Sequence, residues 1–451
     1  MSNMFRRTLI TTSMVVALAG NSFAALTPAE AQKLGTTLTE IGAEKAGNAD
    51  GSIPAYTGGL TTPPPSYKKG SAIRPDPFSA EKPIYTIDAQ SVGKYGDKLT
   101  EGTKALIRKH PGYRLNVYKA HRSAALPKTI LENTKRAALS AKTTNNGLSL
   151  VGVHDAYPFP IPKNGNEAMW NHLVSYHGKA IKLTMEGIYT NSAGRTTMVN
   201  LSDNWFEYPY WFQGDNSGVY YWLKTMMTGP PRRAGEGLLA IDPLDIANKG
   251  RSAWQYLPGQ RRVKLAPDIS YDTPDFNMSG VNTFDDVFLF NGAMDRYDFK
   301  LVGKKEIIVP YNCYKLVYES TKDKAFGPKF INPDYVRWEQ HRVWVVEATL
   351  KSGKRHIYKK RVFYLDEDSW HALASDQYDG NSNLYRIGFA YLTPSYDELA
   401  PYALTHGFYD LIANSYTLNF YAAEKGGVKF FTKPFSSKER TPDSLAGSGI
   451  R

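Results

Sequence analysis

Cysteine is almost absent from this chain of 451 residues, which contains only Cys313. One thiol cannot close a disulfide within the chain, so the sequence excludes a small disulfide-stabilised scaffold and a cysteine-based metal site. Cys313 lies in the strand-like run VPYNCYKLVYE. A cysteine in such a run is typically buried and unreactive, so we do not interpret it as a nucleophile.

The sequence also lacks an apolar stretch of the roughly 20 residues that a membrane-spanning helix needs. Its start, MSNMFRRTLITTSMVVALAGNSFA, combines a basic segment, a short apolar segment and small residues at Ser22 and Ala24. This pattern predicts a secretory signal peptide over residues 1–24 that is cleaved after Ala24. An exported large chain without disulfides is typical of a bacterial periplasm, so we expect a periplasmic protein that can also lie peripherally at the outer membrane.

Catalytic and cofactor motifs are missing as well. The chain has no G-x-S-x-G, no H-E-x-x-H, no phosphate loop and no dinucleotide glycine pattern. We interpret the acidic runs Asp285-Asp286 and Asp366-Glu367-Asp368 as solvated turns. We therefore predict no catalytic residue, no metal, no cofactor and no enzymatic activity. A hydrolase of envelope material would become a hypothesis only if the fold placed a Ser or Asp beside a buried His in a cleft.

A basic tail and a nucleic-acid-binding motif are absent too, although the formal net charge is +12. We predict no nucleic-acid partner, because an exported basic protein meets anionic lipid or acidic protein surfaces instead. The hairpin around Pro258 carries Arg261, Arg262 and Lys264, which we predict to contact a membrane or a partner. A solvated surface whose charge aids solubility explains the same residues equally well.

Aromatic residues are abundant: 8 Trp, 30 Tyr and 20 Phe make 13% of the chain. From about residue 179 onward, apolar and polar residues alternate with a period of two, and short turn sequences separate the runs. The pattern predicts about a dozen strands in a meander. We therefore predict a mainly β, α+β fold: a large curved antiparallel sheet in the form of a half-barrel, with a few helices on its concave side.

The chain divides into four segments, of which the signal peptide is the first. After the signal peptide, residues 25–150 form an N-terminal extension with helices and a proline-rich segment, residues 151–432 form the sheet domain, and residues 433–451 form an extended tail. Thr27-Pro28-Ala29-Glu30 predicts a capped helix start. The glycine-rich stretch GNADGSIPAYTGGL is interpreted as a structural turn, with Ile53 and Tyr56 as the side chains that dock it.

Rings that share strand faces are the strongest candidates for a binding surface. If the concave face of the sheet is open, such rings would line a cavity for an acyl chain or another apolar body. Packing in the core is the more frequent role of such rings. The predicted lining residues are Trp222, Trp254, Tyr256, Phe288, Phe290 and Trp344.

Several long motifs resemble the DUF1329 family of exported Gram-negative proteins: LTPAEAQKLGTTLTEIGAEKAGNADGSIPAYTGGL, PFPIPKNGNEAMWNHLVSYHG, GPPRRAGEGLLAIDPLD and AWQYLPGQRRVKLAPDISYDTPD. The resemblance runs from about Leu26 to beyond Tyr421. It implies a LolA-like, lipoprotein-sorting type of half-barrel in which helices shield an acyl-binding cavity. Family members often lie beside genes for RND-type exporters and for an outer-membrane protein. LolA-like carriers are much shorter, and the first 150 or so residues here have no counterpart among them.

Two functions follow as expectations. The first is a periplasmic, non-enzymatic carrier or chaperone for a lipid or other hydrophobic cargo, working between an inner-membrane exporter and the outer membrane. The second is an outer-membrane-associated interaction subunit of an envelope export complex that carries no ligand. The proline-rich segment Pro63 to Pro83 and the basic hairpin would then be its contact surfaces.

Overall fold

The protein is described by a computed structural model that covers residues 26–449. The predicted signal peptide at residues 1–24 therefore lies outside the described residues. In the described range, none of the helices combines the length and the apolar character that crossing a membrane requires.

Strands dominate the described part of the chain, and they form where apolar and polar residues alternate. The strands are β1 (Tyr85–Ile87), β2 (Leu115–Val117), β3 (Lys142–Thr144), β4 (Ser149–Val151), β5 (Ala180–Thr190), β6 (Thr196–Glu207), β7 (Val219–Gly229), β8 (Gly237–Pro243), β9 (Ser252–Leu257), β10 (Arg262–Leu265), β11 (Tyr297–Pro310), β12 (Trp338–Leu350), β13 (Lys360–Asp366), β14 (Ala372–Tyr378), β15 (Leu384–Ala390), β16 (Thr393–Ser395), β17 (Ala400–Tyr402), β18 (His406–Asp410), β19 (Ser415–Tyr421) and β20 (Lys429–Phe431).

Helices are short by comparison. The α-helices are α1 (Pro28–Ala31), α2 (Glu101–Lys109), α3 (Lys128–Ala137), α4 (Gly165–Leu173), α5 (Lys322–Ala325) and α6 (Asp443–Gly449). The 3-10 turns are Val92–Lys98, Pro209–Trp211, Pro231–Arg233, Pro258–Gln260, Phe276–Met278, Phe284–Leu289, Met294–Arg296 and Pro333–Tyr335, and Lys315–Glu319 forms a π-helical turn. Helix α1 has the predicted capping box, in which Thr27 Oγ1 accepts a hydrogen bond from the Glu30 amide.

One open sheet contains 16 of the strands. Its order is β1-β2-β12-β13-β14-β15-β18-β19-β5-β6-β7-β8-β9-β10, with β11 paired to β12 and β20 to β5. Neighbours are antiparallel except β2 and β12, which meet in parallel at Val117 and Trp338. The sheet does not close on itself, so the predicted half-barrel fold is confirmed, with more strands than the sequence suggested.

The N-terminal extension is built into this sheet. Strands β1 and β2 form one end of it, and the Gly102 amide at the start of α2 donates to Asp376 Oδ1 on β14. Of the two docking residues predicted for the glycine-rich turn, Ile53 is buried, and the Tyr56 hydroxyl donates at 2.9 Å to the carbonyl of Ala124, which also belongs to the extension. The extension therefore shares the core of the sheet.

The C-terminal tail differs from the extended segment predicted from its sequence. Residues 443–449 form helix α6, and Leu445 is buried against Trp222, Leu239 and Tyr256. The sequence there, DSLAGSG, is too short and too rich in Gly and Ser to indicate a helix by itself. Packing on the sheet supplies what its helix propensity lacks.

Candidate binding site under a covering segment

Residues 266–296, named here the covering segment, connect β10 to β11 across one face of the sheet. In this stretch the chain forms only 3-10 turns. The turn Phe276–Met278 contacts β5 and β6, and the turn Phe284–Leu289 contacts β14, β15 and β18. The segment thus bridges both halves of the sheet. A connection of this length without regular secondary structure is uncommon in a compact domain, and such connections usually have a function.

A cavity of about 50 Å³ lies between the covering segment and strands β5 to β8. Its wall is mostly apolar. The apolar lining residues are Met185, Tyr221, Leu223, Leu238, Ala240, Ile269, Phe284, Val287 and Phe420. Sites for small molecules usually enclose about 300–1,000 Å³. The cavity is therefore smaller than such a site. A ligand of ordinary size could bind only if the covering segment moved outward.

Polar groups are also enclosed at this cavity. Asp275 is buried, accepts hydrogen bonds from the Asn277 amide at 2.9 Å and from Asn282 Nδ2 at 3.2 Å, and burial raises its pKa to about 6. The Asn200 side-chain oxygen is buried without a hydrogen-bond partner in residues 26–449. Since an unpaired buried carbonyl is costly, this oxygen can accept a hydrogen bond from a ligand or a water.

A wider cleft of about 410 Å³ lies next to the cavity. Arg251 lines both spaces, and it separates them. Its guanidinium donates to both carboxylate oxygens of Asp242, at 2.7 and 2.8 Å, and to the Asn291 carbonyl at 2.7 Å. A bidentate pair of this kind fixes the side chain in one geometry. Arg251 therefore forms a rigid partition between an open cleft and the apolar cavity.

Arg361 on β13 fastens the covering segment to the sheet. Its guanidinium is fully buried and donates to Asp285 Oδ2 at 3.0 Å, to Asp286 Oδ1 at 2.7 Å and to the Leu289 carbonyl at 3.2 Å. Burial by itself would raise the pKa of Asp285, but Arg361 and His356 hold it below its ordinary value. The prediction of a solvated turn at Asp285-Asp286 is wrong: both carboxylates are buried ion-pair partners.

A profile of the family described as "Protein of unknown function (DUF1329)" matches residues 86–446, most of the chain. This chain belongs to the DUF1329 family. The resemblance read from the sequence motifs is thereby confirmed.

Known relatives of this DUF1329 protein include an uncharacterized protein of Pseudomonas aeruginosa, which is 41% identical over 440 residues and aligns over 96% of each chain. Among solved structures, a DUF1329 family protein from Desulfovibrio piger is 14% identical, with a TM-score of 0.41, covering 59% of this chain and 92% of that one. A LolA superfamily protein from Nitrosomonas europaea is 12% identical, with a TM-score of 0.35, covering 60% of this chain and 94% of that one.

The six aromatic residues predicted to line a cavity are divided among separate places in the DUF1329 fold. Trp222, Trp254 and Tyr256 pack together under helix α6, on the face opposite the cavity. The cavity is lined instead by Tyr221 and Leu223, which alternate with Trp222 along β7. The period of two shows which residues share a face of the sheet. It does not show which face packs under helix α6 and which face borders the cavity.

Of the other three predicted residues, Phe288 and Phe290 belong to the covering segment and Trp344 lies on β12. Phe288 packs on His177, with ring centroids 5.2 Å apart. Phe290 lies beside Phe363 at 5.4 Å. Trp344 lies elsewhere, stacked on Trp370 at 5.9 Å. The contacts of Phe288 and Phe290 thus attach the covering segment to the core. Phe284 and Val287 of the same segment face the cavity.

The basic hairpin is exposed, as a contact surface requires. Arg261, Arg262 and Lys264 are all exposed, on and beside the edge strand β10. In the turn of this hairpin, residues Pro258–Gln260 form a 3-10 turn and Arg261 takes the left-handed conformation, with φ of 48°. Charged side chains on an edge strand also prevent pairing with other sheets. The contact role of these residues stays a prediction.

A serine lies beside a buried histidine, the arrangement that would favour a hydrolase. Ser175 Oγ is 3.0 Å from His371 Nδ1. Both residues are buried, and the other ring nitrogen, Nε2, has no hydrogen-bond partner in residues 26–449. A catalytic histidine needs a group that orients that nitrogen and a cleft that admits substrate. The pair has neither an orienting group nor exposure, so it gives no support to a hydrolase.

His172 of helix α4 makes the fold sensitive to acid. Its Nε2 donates to the Phe290 carbonyl at 2.9 Å, and its Nδ1 accepts from the Ala372 amide at 3.2 Å. The bond at Nδ1 requires the neutral ring, because a protonated Nδ1 has no lone pair with which to accept. Burial lowers the pKa of His172 to about 4 from the ordinary 6.5, despite opposing hydrogen bonds to backbone oxygens.

We expect this histidine to cost stability as the pH falls. Because the unfolded chain takes up the proton near pH 6.5 and the folded chain only near pH 4, the contribution is complete above pH 6.5 and lost between these values. At pH 4.5, wild type should lose about 2 kcal/mol more of its free energy of unfolding than His172→Gln does, relative to pH 7. Urea unfolding at both pH values measures this, and equal losses would contradict it.

Proposed function

We propose that this DUF1329 protein is a periplasmic, non-enzymatic carrier or chaperone for a lipid or other hydrophobic cargo. The observation that carries the proposal is the apolar cavity between the sheet and the covering segment. Protein interiors are close-packed with few voids, so an unfilled space with an apolar wall and a few polar groups is a candidate binding site. Cargo would occupy the apolar wall around Leu223 and Ala240.

The size of the cavity makes the covering segment part of the mechanism. About 50 Å³ does not accommodate an acyl chain, so the segment must swing away from β5 to β8 when cargo binds. The clamp at Arg361 holds Asp285 and Asp286, so the adjacent lining residues Phe284 and Val287 stay in place. Ile269, Asp275 and Asn277 line the cavity from the earlier part of the segment, and that part can move outward while the clamp stays closed.

The partners in this proposal are an RND-type exporter in the inner membrane and an outer-membrane protein. The exposed groups Arg261, Arg262 and Lys264 would meet anionic lipid or an acidic surface on either partner. The second candidate, an interaction subunit without cargo, rests on the same exposed hairpin. Crosslinking in cells that captures a membrane partner, with no lipid in the purified protein, would favour that second function.

Filling the cavity should abolish cargo binding. Ala240 faces the cavity from β8, so Ala240→Phe places a ring where cargo would lie. Native mass spectrometry of protein purified from its own periplasm is expected to show bound lipid for wild type and at least a tenfold smaller bound fraction for Ala240→Phe.

Ile241 supplies the matched control. It is the next residue on β8, but its side chain packs on the opposite face beside Trp222 and Leu239. Ile241→Phe adds a ring to the same strand without entering the cavity, and it should keep the lipid of wild type. Equal lipid loss in both variants, or no lipid in wild type, would refute the carrier function. Thermal unfolding of both variants shows whether either loss comes from destabilisation.

A further inference from the structure

A polar cluster lies apart from the cavity, where β12 meets the turn that follows β13. His341 is on β12, Asp366 ends β13 and Asp368 lies in the turn. All three are buried, and each offers a ligand atom within 4.8 Å of those of the other two. We infer that His341, Asp366 and Asp368 form a binding site for a divalent metal ion of the zinc class. The prediction that residues 366–368 form a solvated turn is wrong, because all three side chains are buried.

Asp366 carries the strongest indication of a missing partner. Its Oδ2 accepts hydrogen bonds from Ser369 Oγ at 2.6 Å and from the Tyr311 hydroxyl at 3.3 Å. Its Oδ1 is buried and accepts none from residues 26–449. The basic groups nearby are paired with Glu367 and Asp368 instead. Buried carboxylates are normally paired or bound to a metal, and a metal ion would satisfy this oxygen.

The imidazole of His341 is held as metal-binding histidines are held. Its Nε2 lies 3.0 Å from Glu339 Oε2, and its ring stacks on Tyr311 with centroids 3.7 Å apart. Glu339 is fixed in turn by Arg337 and Asn312. A carboxylate on one ring nitrogen orients the imidazole and raises its basicity toward a metal on the other. Nδ1 is thus the nitrogen that would face the ion.

The charge around the site favours a cation. Ion pairs link Asp368 to a network that contains more carboxylates than basic groups, even before Asp366 is counted. The carboxylates are Glu44, Glu306, Glu367 and Asp368, and the basic groups are Arg122, Lys304 and Arg342. Arg122 donates one hydrogen bond to each oxygen of Asp368. Each oxygen has a second lone pair, so a metal can share the carboxylate.

The distances between the three ligand atoms fit a zinc site after small side-chain rotations. Zinc binds nitrogen and carboxylate oxygen at about 2.0–2.2 Å, which places the ligand atoms of a tetrahedral site about 3.4 Å apart. Atoms that already lie within 4.8 Å of one another reach that geometry by side-chain rotation. Three protein ligands would leave a fourth position for a small oxygen ligand. Imidazole with two carboxylates suits zinc better than calcium, which takes oxygen ligands.

The test is a titration of Zn²⁺ alone into the full chain, purified without an affinity tag and stripped of metal with a chelator. Isothermal calorimetry should show one tight site per chain in wild type. Asp366→Asn keeps the size of the side chain but lowers the charge, and it should weaken this site by at least about 100-fold. His341→Gln should weaken it similarly, which assigns the imidazole.

Asp376→Asn is the matched control. Asp376 is also a buried carboxylate at the sheet, but both of its oxygens already accept hydrogen bonds, from the Gly102 amide at 3.0 Å and the Tyr364 hydroxyl at 3.1 Å. It should leave zinc affinity unchanged within about twofold. Wild type that binds no zinc, or Asp366→Asn that binds as tightly as wild type, would overturn the site. Circular dichroism of each metal-free variant separates lost binding from lost folding.

Discussion

Replacing Arg361 with methionine is expected to lower the free energy of unfolding by about 3–5 kcal/mol, because removal of one partner leaves a buried charge without compensation. Two carboxylates lose their common cation at once, since Arg361 bridges Asp285 and Asp286. Chemical unfolding followed by tryptophan fluorescence measures the loss. Hydrogen exchange should also accelerate at amides 283–289, since this part of the covering segment is held by the same guanidinium.

A second variant distinguishes the charge from the shape of the site. Adding Asp285→Asn and Asp286→Asn to Arg361→Met removes the unpaired charges while it keeps the side-chain volumes. The triple variant should recover about half or more of the lost stability, because a neutral buried cluster avoids the cost of stranded charge. A triple variant less stable than Arg361→Met would show that the loss comes from packing around Phe290 and Phe363, not from the ion pairs.

Truncating Trp370 should have a comparable effect. Its ring is fully buried, stacks on Trp344, and its indole N–H donates to the Ile41 carbonyl of the N-terminal extension at 3.0 Å. Trp370→Ala creates a large void and is expected to cost about 3–5 kcal/mol, as for other buried aromatic residues. Urea unfolding gives the free energy. Limited proteolysis should cut residues 36–60 faster, because the extension loses its anchor.

Trp370→Phe isolates the hydrogen bond from the ring. It retains most of the aromatic volume but cannot donate to Ile41, so about 1–2 kcal/mol of the loss is expected to remain. In Trp370→Phe, the protection of residues 36–60 against proteolysis should drop only partly. If Trp370→Ala leaves proteolysis of residues 36–60 unchanged, this stretch is held by its other contacts, which include the bond from the Tyr56 hydroxyl to the Ala124 carbonyl and the bond from Arg122 to the Pro54 carbonyl.

The strands could be predicted because their signal is local. Alternation along β5 to β7 and β11 to β13 reflects side chains on two faces of each strand, which neighbouring residues in the chain reveal. The helix start at Thr27 was equally readable, since the capping box closes within four residues. Such features depend on contacts between residues that are near in sequence, and the sequence alone therefore contains them.

The candidate sites could not be predicted in the same way. Arg361 meets Asp285 only after the covering segment has packed on β13, 76 residues away in the chain, and His341 meets Asp366 only after β12 and β13 have paired. An acidic pair whose partner lies far along the chain looks like a solvated turn, which is why Asp285-Asp286 and residues 366–368 were misread. The prediction of the aromatic lining residues is wrong for a different reason. Tyr221 and Trp222 are adjacent in sequence, so their side chains lie on opposite faces of β7. Which face holds the cavity depends on where helix α6 and the covering segment pack.

The middle of the sheet has a consequence for the order in which the protein assembles. Strand β19 pairs with β5, and Tyr416 lies opposite Thr190, so the central ladder forms only after nearly the whole chain has emerged. Pairings between such distant segments form slowly, because a long loop must close before they contribute. The nascent chain thus has no complete sheet to hold it folded while it is made.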